Sequence, residues 1–337
     1  MKLRVGLIGL GDTWQQRHAR ALRTLADQFE VRAVCDQVAQ RAELAAAEFS
    51  ASAVDGYHAL VEREDVDALL ILSPQWFGAL PILAACRSGK AIYCAAGLDL
   101  GPEEALAVKQ RVEASGIIFM VELPRRHAPA TVRLKELIAT RLGRPRLLFC
   151  HRRCIETAHN HLSGCSRAHS AVRDLIELVD WCCYIVDRPP RWVYGLMYPG
   201  DVASGEEDYQ MMSLDFSPPE QPGNGPIAQI SCGRYIPPRW HEALTYRPLA
   251  GLQVSCENGV AFVDLPSTLV WFDEAGRHQE SLESERPVGE QLLARFHRAV
   301  AGGGQKTCDL EDAYRSLTIV QQARQSHREG RRLELGD

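Results

Sequence analysis

The sequence has no run of about 18 consecutive apolar residues, which is the length that a helix needs to cross a bilayer. It has no excess of positive charge either, because 38 Lys and Arg stand against 43 Asp and Glu and the formal net charge is −5. That balance provides no basic surface of the kind that binds nucleic acid. The first apolar run is short and broken by glycine, so it predicts a strand and not a signal peptide. We expect a cytoplasmic protein without a membrane or nucleic-acid partner.

The eleven cysteines are odd in number and include no C-x-x-C pair. Cys35, Cys86 and Cys94 lie within apolar segments of the sequence. We therefore predict that such cysteines are buried free thiols in a reducing compartment.

Further cysteines lie with histidines and arginines between Cys150 and His169. His and Cys are ligands of soft metals, but their spacing here matches no standard zinc pattern. We predict no metal and interpret this segment as a polar loop lining a substrate pocket. A soft-metal site is the alternative.

Strand-like and helix-like segments alternate through residues 1–123. The helix-like segments separate short apolar runs that predict strands at Leu3–Ile8, Val31–Cys35, Asp67–Leu72, Ala91–Cys94 and Gly116–Val121. The segment Gln15–Phe29 predicts the first helix. Repeated strand–helix units predict an α/β domain with a doubly wound parallel sheet, whose loops after the strands meet along one edge.

The pattern changes in residues 124–337. The helix-like segment Val172–Val186 is followed by several short strand-like segments, and Asn258-Gly259 is a hairpin signal. Val288–Ala301 and Leu310–Glu329 predict closing helices. We expect an α+β domain with a mostly antiparallel sheet, and leave open that the last helices pack back on the first domain.

The turn after the first strand carries the strongest signal for a ligand. Gly9 and Gly11 allow a tight turn and close approach to a phosphate, although Trp14 stands where a third glycine is usual. A glycine pair alone is weak evidence, but four further loops should converge beside it. We predict dinucleotide binding, with a plain strand–helix turn as the alternative.

Asp36 ends the second predicted strand, where a carboxylate can accept hydrogen bonds from the adenosine ribose and repel a 2′-phosphate. This favours NAD over NADP, and we expect Arg41 to point along its own helix. The predicted cofactor contacts, drawn from the five loops, are Gly9, Gly11, Asp12, Thr13, Trp14, Asp36, Ser73, Pro74, Gln75, Phe77, Ala95 and Glu122.

These motifs together resemble the Gfo/Idh/MocA family of NAD(P)-dependent oxidoreductases. The segments that carry the resemblance are Val5–Asp12, Ser73–Gln75, Ser88–Cys94, Val121–Pro129 and Gly330–Leu335. The resemblance implies an N-terminal Rossmann domain, a C-terminal substrate and dimerisation domain with a large open sheet, and a sugar-like or polyol substrate. It also implies a homodimer or homotetramer.

The sequence departs from the family where the resemblance implies catalysis. The signature Glu-Lys-Pro, whose lysine usually helps to handle the substrate hydroxyl proton, is replaced by Ala95-Ala96-Gly97. The usual catalytic histidine aligns with Glu177, one helical turn before Asp180. Glu177, Asp180 and His161 are the catalytic candidates, and helix-surface carboxylates are the alternative for the first two.

Five arginines fall near the predicted cleft, and arginine forks suit anionic groups. An anionic substrate is one interpretation of them, and ordinary ion pairing is the other. They are Arg125, Arg126, Arg152, Arg153 and Arg173.

Two functions remain open at this point. The first is an NAD-dependent oxidoreductase with unusual proton-handling residues. The second is a catalytically silent dinucleotide-binding sensor or regulatory protein of the same fold. The intact cofactor edge favours the first function, and the loss of both usual catalytic positions favours the second.

Overall fold

The structure is a computed structural model of the 337-residue chain. It describes residues 2–11, 13–73, 77–95, 98, 100–155, 167–201, 206–218, 220–236, 238–244, 246, 250–282, 286–302 and 309–336.

Fifteen strands can be followed through these residues. In chain order they are β1 (Leu3–Ile8), β2 (Phe29–Cys35), β3 (Ser52–Ala53), β4 (Ala68–Ile71), β5 (Ala91–Cys94), β6 (Phe119–Val121), β7 (Pro145–Ile155), β8 (Trp192–Asp201), β9 (Glu206–Asp215), β10 (Ile227–Ile236), β11 (Leu252–Cys256), β12 (Val260–Asp264), β13 (Thr268–Asp273), β14 (Gly276–Ser281) and β15 (Leu333–Glu334).

The α-helices are α1 (Arg20–Thr24), α2 (Ala39–Phe49), α3 (Tyr57–Val61), α4 (Leu80–Ser88), α5 (Pro102–Ser115), α6 (Pro129–Leu137), α7 (Arg167–Val186), α8 (Val288–Ala301) and α9 (Asp309–Glu329). Short π-helical segments precede α1 (Trp14–Ala19) and follow α6 (Ile138–Leu142), and 3-10 turns lie at Pro124–His127 and Pro238–Leu244. Among the helices that the structure describes, none combines the length and the apolar character needed to cross a membrane.

The chain divides into two compact units. The first consists of Met1–Pro124 and Glu285–Arg315, and the second of Arg125–Ser284 and Ser316–Asp337. The helix α9 contributes residues to both units.

The first unit contains a six-stranded sheet in the order β3-β2-β1-β4-β5-β6, with all pairs parallel. The strand order reverses between β1 and β4, and the loops after the strands meet at that edge. The predicted doubly wound parallel sheet is confirmed. The turn Gly9–Gly11, residue Asp36 and residue Ser73 all follow strands at this edge.

The first helix differs from the prediction Gln15–Phe29. Helical backbone ends at Thr24, and Phe29 is the first residue of β2. Phe29 is 3% exposed and packs edge-to-face on His297, with ring centroids 5.5 Å apart. The position of Phe29 fits a helical period and a strand period equally well. The strand forms because it buries Phe29 against α8.

One face of the parallel sheet is covered by α1 and α8. Leu292, Leu293 and Phe296 of α8 are fully buried in the same core as Val5, Leu7 and Tyr93. Residues from the end of the chain therefore complete the core of the first unit. Hydrophobic burial of this extent is the main stabilising contribution to such a unit.

The second unit contains a nine-stranded sheet in the order β14-β13-β12-β11-β7-β10-β9-β8-β15. Only β7 and β10 pair in parallel, and every other neighbouring pair is antiparallel. The predicted mostly antiparallel sheet is confirmed, and so is the hairpin at Asn258-Gly259 between β11 and β12. The strand β14 was not predicted, because its sequence is polar and exposed.

The two faces of the nine-stranded sheet differ in their surroundings. Helices α6 and α7 pack on one face, where Leu148, Val193 and Leu214 are at most 1% exposed. Cross-strand pairing places a set of large apolar side chains together on the opposite face, each 38–42% exposed: Leu147, Tyr194, Leu196, Ile227 and Phe272. We call this set the open face.

Candidate functional site

The glycine turn follows β1 and is packed against the backbone that follows β4. Gly9 has φ +64° and Gly11 has φ +63°, a backbone conformation that other residues rarely adopt. A Cβ atom on Gly9 would lie 2.8 Å from the carbonyl oxygen of Ser73, and one on Gly11 would lie 2.8 Å from that of Leu72. Glycine is therefore required at both positions, because φ is positive there and because a Cβ atom would clash with a carbonyl oxygen.

The turn presents hydrogen-bond donors. The N–H of Gly9 donates to the carbonyl of Cys35 at 2.8 Å, and the N–H of Leu10 donates to Asp36. The N–H groups of Gly11 and Thr13 have no acceptor within the part of the chain that the structure describes. They precede the helical segment that starts at Trp14, so these donors and the positive end of a helix lie together. Such an arrangement suits an anionic group.

Asp36 is not a solvated strand-end residue. Its side chain is 3% exposed. Its Oδ2 accepts the N–H of Leu10 at 2.8 Å and its Oδ1 accepts the N–H of Val38 at 3.0 Å. Asp36 therefore fixes the glycine turn, and each oxygen keeps a second lone pair for another donor.

Arg41 corrects an expectation, because its side chain does not run along α2. Its Nη2 donates to the carbonyl of Gly11 at 3.2 Å, and its Nε lies 4.0 Å from Asp36 Oδ1. The side chain is 43% exposed. A guanidinium group therefore lies beside the carboxylate at the turn.

Trp14 contributes its side chain to the core. The indole is 5% exposed and packs on Phe49, with ring centroids 5.8 Å apart. The missing third glycine is thus replaced by a core residue at the start of the helix. Thr13 stays at the turn, where its Oγ1 lies 3.4 Å from Nδ1 of His18.

The remaining predicted cofactor contacts divide into two groups. Ser73 (5% exposed) and Ala95 (5% exposed) lie at the strand ends, and Phe77 packs edge-to-face on Tyr57 with ring centroids 5.3 Å apart. Asp12, Pro74 and Gln75 lie outside the described residues.

Glu122, at the end of β6, points into the first unit. Its Oε2 lies 2.8 Å from Nε2 of His18, and its Oε1 accepts a hydrogen bond from Arg17. A carboxylate only accepts, so Nε2 of His18 carries the hydrogen in this contact. The side chains of His18 and Glu122 are 1% and 3% exposed. Sequence reasoning placed Glu122 at the cofactor edge but did not link it to His18.

Electrostatics keeps Glu122 ionised. Burial raises the pKa of its carboxyl, but His18 and Arg17 together lower it further, to a net value of about 2. Burial and the Glu122 charge raise the pKa of the neighbouring Tyr93 well above its ordinary value. Among the described residues the fully buried Tyr93 hydroxyl has no partner at hydrogen-bond geometry.

The catalytic candidates of the second unit are engaged in ion pairs. Asp180 is 2% exposed, and both of its oxygens accept hydrogen bonds from Arg126. Glu177 is 24% exposed and accepts one hydrogen bond from Nε of Arg125 at 3.3 Å. The third candidate, His161, lies outside the described residues.

Ion pairing also accounts for most of the arginines near these candidates. Arg125 and Arg126 pair with the two acids of α7, and Nη1 of Arg152 lies 3.1 Å from Asp174. These three guanidinium groups are therefore already balanced by carboxylates. This favours ion pairing over an anionic substrate as the reason for their presence.

The polar loop predicted between Cys150 and His169 is wrong at both ends, because β7 continues to Ile155 and α7 begins at Arg167. His151 has its Nδ1 2.8 Å from Oγ of Ser231, and burial lowers its pKa. No cluster of three metal-ligating side chains occurs among the residues that can be described. His159, His161 and Cys165 lie outside those residues, as does the side chain of His169.

Comparison with known proteins identifies the first unit. Residues 3–123 match the Gfo/Idh/MocA family, described as "Oxidoreductase family, NAD-binding Rossmann fold". The N-terminal domain belongs to this family. Family membership agrees with the strand order, the glycine turn and the position of Asp36.

Relatives of known function match about half of the chain. Inositol 2-dehydrogenase 3 of Saccharopolyspora erythraea is 30% identical over 183 residues, which are 54% of this chain and 54% of that protein. The scyllo-inositol 2-dehydrogenase (NAD(+)) of Bacillus subtilis is 31% identical over 147 residues, 43% of this chain and 42% of that protein. The chain thus spans about half the length of the relatives it matches.

Solved structures share the fold along the whole chain. A levoglucosan dehydrogenase, in complex with NADH and levoglucosan, has a TM-score of 0.84 at 18% identity and covers 100% of both chains. The myo-inositol 2-dehydrogenase from Lactobacillus plantarum has a TM-score of 0.80 at 20% identity, again with 100% of both chains covered. At these identities the likeness shows the fold alone.

The residues of the first unit fit the NAD that the family binds. Gly9 and Gly11 place no side chain at the turn, and the N–H groups of Gly11 and Thr13 are available to a pyrophosphate. Asp36 retains acceptor capacity for ribose hydroxyls beside the turn. The chemistry of the donor and acceptor set therefore agrees with a dinucleotide.

Proposed function

We propose that this chain is an NAD-dependent oxidoreductase that transfers a hydride to or from a sugar-like polyol. The observation that carries the proposal is the glycine turn, whose two crowded glycines and two available N–H groups lie at the reversal point of a parallel sheet. The family of the N-terminal domain supports it.

The cofactor would be held mainly by backbone and by one carboxylate. The N–H groups of Gly11 and Thr13 would bind the pyrophosphate, and Asp36 would accept hydrogen bonds from the adenosine ribose. Bound NAD supplies the hydride acceptor, and NADH supplies the donor. The Asp36 charge favours NAD over NADP, and Arg41 beside it reduces that preference.

The substrate class follows from the relatives. Two of them are named for inositol and one structure was solved with levoglucosan, so all three act on or bind polyhydroxylated rings. Oxidation of a secondary alcohol releases one proton for each hydride transferred, so a group must accept that proton. We propose a neutral polyol rather than an anionic substrate, because Arg125, Arg126 and Arg152 are paired with acids.

Glu177 is the better proton acceptor of the two acids on α7. Its carboxylate is 24% exposed and receives one guanidinium N–H, whereas both oxygens of the 2% exposed Asp180 are bound by Arg126. Proton transfer requires an accessible lone pair. We assign Glu177 and His161 to proton transfer and Asp180 to holding Arg126.

A silent dinucleotide sensor is the second candidate function. Alanine at position 96, where the lysine usually stands, and the ion pairs of both α7 acids favour it. Such a protein would bind NAD or NADH and turn nothing over.

We further propose a cytoplasmic homodimer or homotetramer that associates through the open face of the nine-stranded sheet. Its large side chains, including Leu196, are about 40% exposed, and apolar patches of this kind mark interfaces. Leu196→Lys should shift the mass measured by light scattering towards the monomer. Leu44→Lys, on the 66% exposed position of α2, should leave the mass unchanged. A monomeric unsubstituted chain would contradict the proposal.

The test of function has two stages. Calorimetric titration with NAD+, NADH, NADP+ and NADPH should give binding, tighter for NAD(H) than for NADP(H). Absorbance at the nicotinamide band is then followed with NAD+ and a panel of inositols, levoglucosan and linear polyols. Turnover that Glu177→Gln lowers supports the oxidoreductase; binding without turnover over the panel supports the sensor. Absence of any dinucleotide binding contradicts both.

A further inference from the structure

Ala95 and Glu122 lie side by side on adjacent strands. Cys94 pairs with Val121 at the end of β5 and β6, and the N–H of Glu122 donates to the carbonyl of Cys94 at 2.8 Å. Ala95 and Glu122 are thus the next residues along the two strands. Their side chains should point to the same side of the sheet as Tyr93 and Met120, two positions earlier on each strand.

The shared side is the core beneath α1. Tyr93, Ala95 and Met120 belong to one buried cluster, and the ring of His18 lies edge-on to that of Tyr93 with centroids 6.5 Å apart. The Glu-Lys-Pro signature would place a glutamate at residue 95, within the same cluster. Here that position holds a methyl group, and the carboxylate comes from Glu122 on the neighbouring strand.

The Glu122 carboxylate is connected to the glycine turn through two side chains. Arg17 and His18 bind its two oxygens. Nδ1 of His18 lies 3.4 Å from the hydroxyl of Thr13, which can donate to a bare ring nitrogen or accept from a protonated one. Thr13 follows the turn directly and carries one of its two available N–H groups.

The glycine at position 289 leaves room for the side chain of Arg17. A Cβ atom on Gly289, at the start of α8, would lie 2.6 Å from Cγ of Arg17. The aliphatic stem of Arg17 therefore passes over a glycine on its way to Glu122. Two elements far apart in sequence, β6 and the start of α8, hold the same helical segment.

We propose that Glu122 is the positioning residue of the dinucleotide turn, and that its carboxylate takes the structural place that a glutamate at residue 95 would occupy. Through Arg17 and His18 it fixes Thr13 and the free N–H groups in the orientation that binds a pyrophosphate. The inference rests on the proposed dinucleotide binding. According to this proposal, the chain has lost the signature tripeptide and kept the cofactor site, because Glu122 supplies the carboxylate from the neighbouring strand.

The experiment tests whether a carboxylate at residue 95 can replace that of Glu122. The variants are Glu122→Gln, which keeps the shape, Glu122→Ala, and the double variant Ala95→Glu/Glu122→Ala. Glu48→Gln, which breaks only the pair with Arg23 in the same unit, is the control. NADH affinity is measured by nicotinamide fluorescence, and amide hydrogen exchange of the peptide containing Gly9–Thr13 is measured without cofactor.

We expect Glu122→Gln and Glu122→Ala to weaken NADH binding by about tenfold or more, the loss of one charge-assisted hydrogen bond. Exchange at Gly9–Thr13 should accelerate, while exchange in β8–β10 stays unchanged. The double variant should recover most of the affinity and protection, which a merely destabilised core would not do. Rescue of both readouts supports the relocated carboxylate.

Two outcomes contradict the inference, and a third contradicts the proposed function. NADH affinity and turn exchange unaffected by Glu122→Gln would remove the positioning role. A double variant no better than Glu122→Ala would remove the equivalence of the two positions. If the unsubstituted chain binds no NADH, the proposed function fails, and the exchange measurement alone then decides whether Glu122 holds the turn.

Discussion

His18 and Glu122 are 104 residues apart in sequence, and Nε2 of the imidazole lies 2.8 Å from Oε2 of the carboxylate in the core of the first unit. The contact joins the helical segment after β1 to the end of β6. It therefore connects the glycine turn with the far side of the parallel sheet. A buried carboxylate with two cationic or hydrogen-bonding partners is a costly arrangement unless it is fully satisfied, and here both oxygens are bound.

The unfolding free energy should fall in acid because the carboxylate of Glu122 becomes protonated. Its folded pKa of about 2 lies below the ordinary value of 4.5, so its contribution is present above about pH 4.5 and is lost as the pH falls towards 2. At 1.36 kcal/mol per pKa unit the full contribution is roughly 3 kcal/mol, of which roughly 2 kcal/mol disappears between about pH 5 and pH 3. Urea unfolding at several pH values should show this loss, and Glu122→Gln should reduce the change of unfolding free energy with pH. An equal change with pH in both proteins would contradict this role of Glu122.

Gly11→Ala should damage the turn by two separable effects. The substitution forces φ +63° on alanine and places its Cβ 2.8 Å from the Leu72 carbonyl, which together should cost about 2 kcal/mol or more of unfolding free energy. Gly89→Ala shares the positive φ, +66°, but meets open space, and should cost about 1 kcal/mol. Gly101→Ala has neither problem and, as a change at the N-cap of α5, should cost less than about 1 kcal/mol. Of the three variants, only Gly11→Ala should also weaken NADH binding. Equal losses of unfolding free energy in Gly11→Ala and Gly89→Ala would disprove the contact with the Leu72 carbonyl.

Removing one partner of the pair Arg126–Asp180 should destabilise the second unit strongly. Arg126→Met removes both guanidinium hydrogen bonds of the 2% exposed Asp180 carboxylate, which should cost about 3–5 kcal/mol in unfolding free energy. The double variant Arg126→Met/Asp180→Leu should recover most of that loss, and a double-mutant cycle measures the coupling. Glu48→Gln, at a pair with side chains 52% and 27% exposed, should change stability by less than about 1 kcal/mol. Additive effects of Arg126 and Asp180 would be inconsistent with the pair.

Buried thiols should resist alkylation in the folded protein. Burial raises the pKa of Cys94 to about 12 and that of Cys35 to about 11, so almost no thiolate forms at neutral pH. Cys183 is only partly buried and should be modified sooner. Timed labelling with iodoacetamide followed by peptide mass spectrometry compares the rates, and unfolded protein is the control. Labelling of Cys94 as fast as Cys183 under native conditions would show that the first unit opens readily.

Local patterns predicted the elements of the first sheet well, because parallel strands covered on both sides are short continuous apolar runs. Leu3–Ile8 and Ala91–Cys94 were placed correctly. The two-residue strand β3 escaped prediction since its residues are exposed and have no periodicity. The strand β14 escaped for the same reason: it is held by pairing with β13 and not by burial.

The site was predicted in part. Gly9, Gly11 and Asp36 could be placed at one edge because the topology of parallel strands fixes where loops meet. The orientation of Arg41 across the turn and the link between Glu122 and His18 depend on side-chain packing between distant segments. No periodicity encodes such contacts. The one available signal was chemical: a glutamate inside a predicted buried strand end needs a partner, and His18 is the histidine of the first helical segment.

Titration of the unsubstituted chain and of Gly11→Ala with NADH, followed by calorimetry, tests the central claim most directly. A single saturable site in the unsubstituted chain, weakened at least about tenfold in Gly11→Ala and unchanged in Gly101→Ala, is the predicted result. An unsubstituted chain that shows no heat of binding with NADH, while remaining folded, would contradict the claim that the glycine turn holds a dinucleotide.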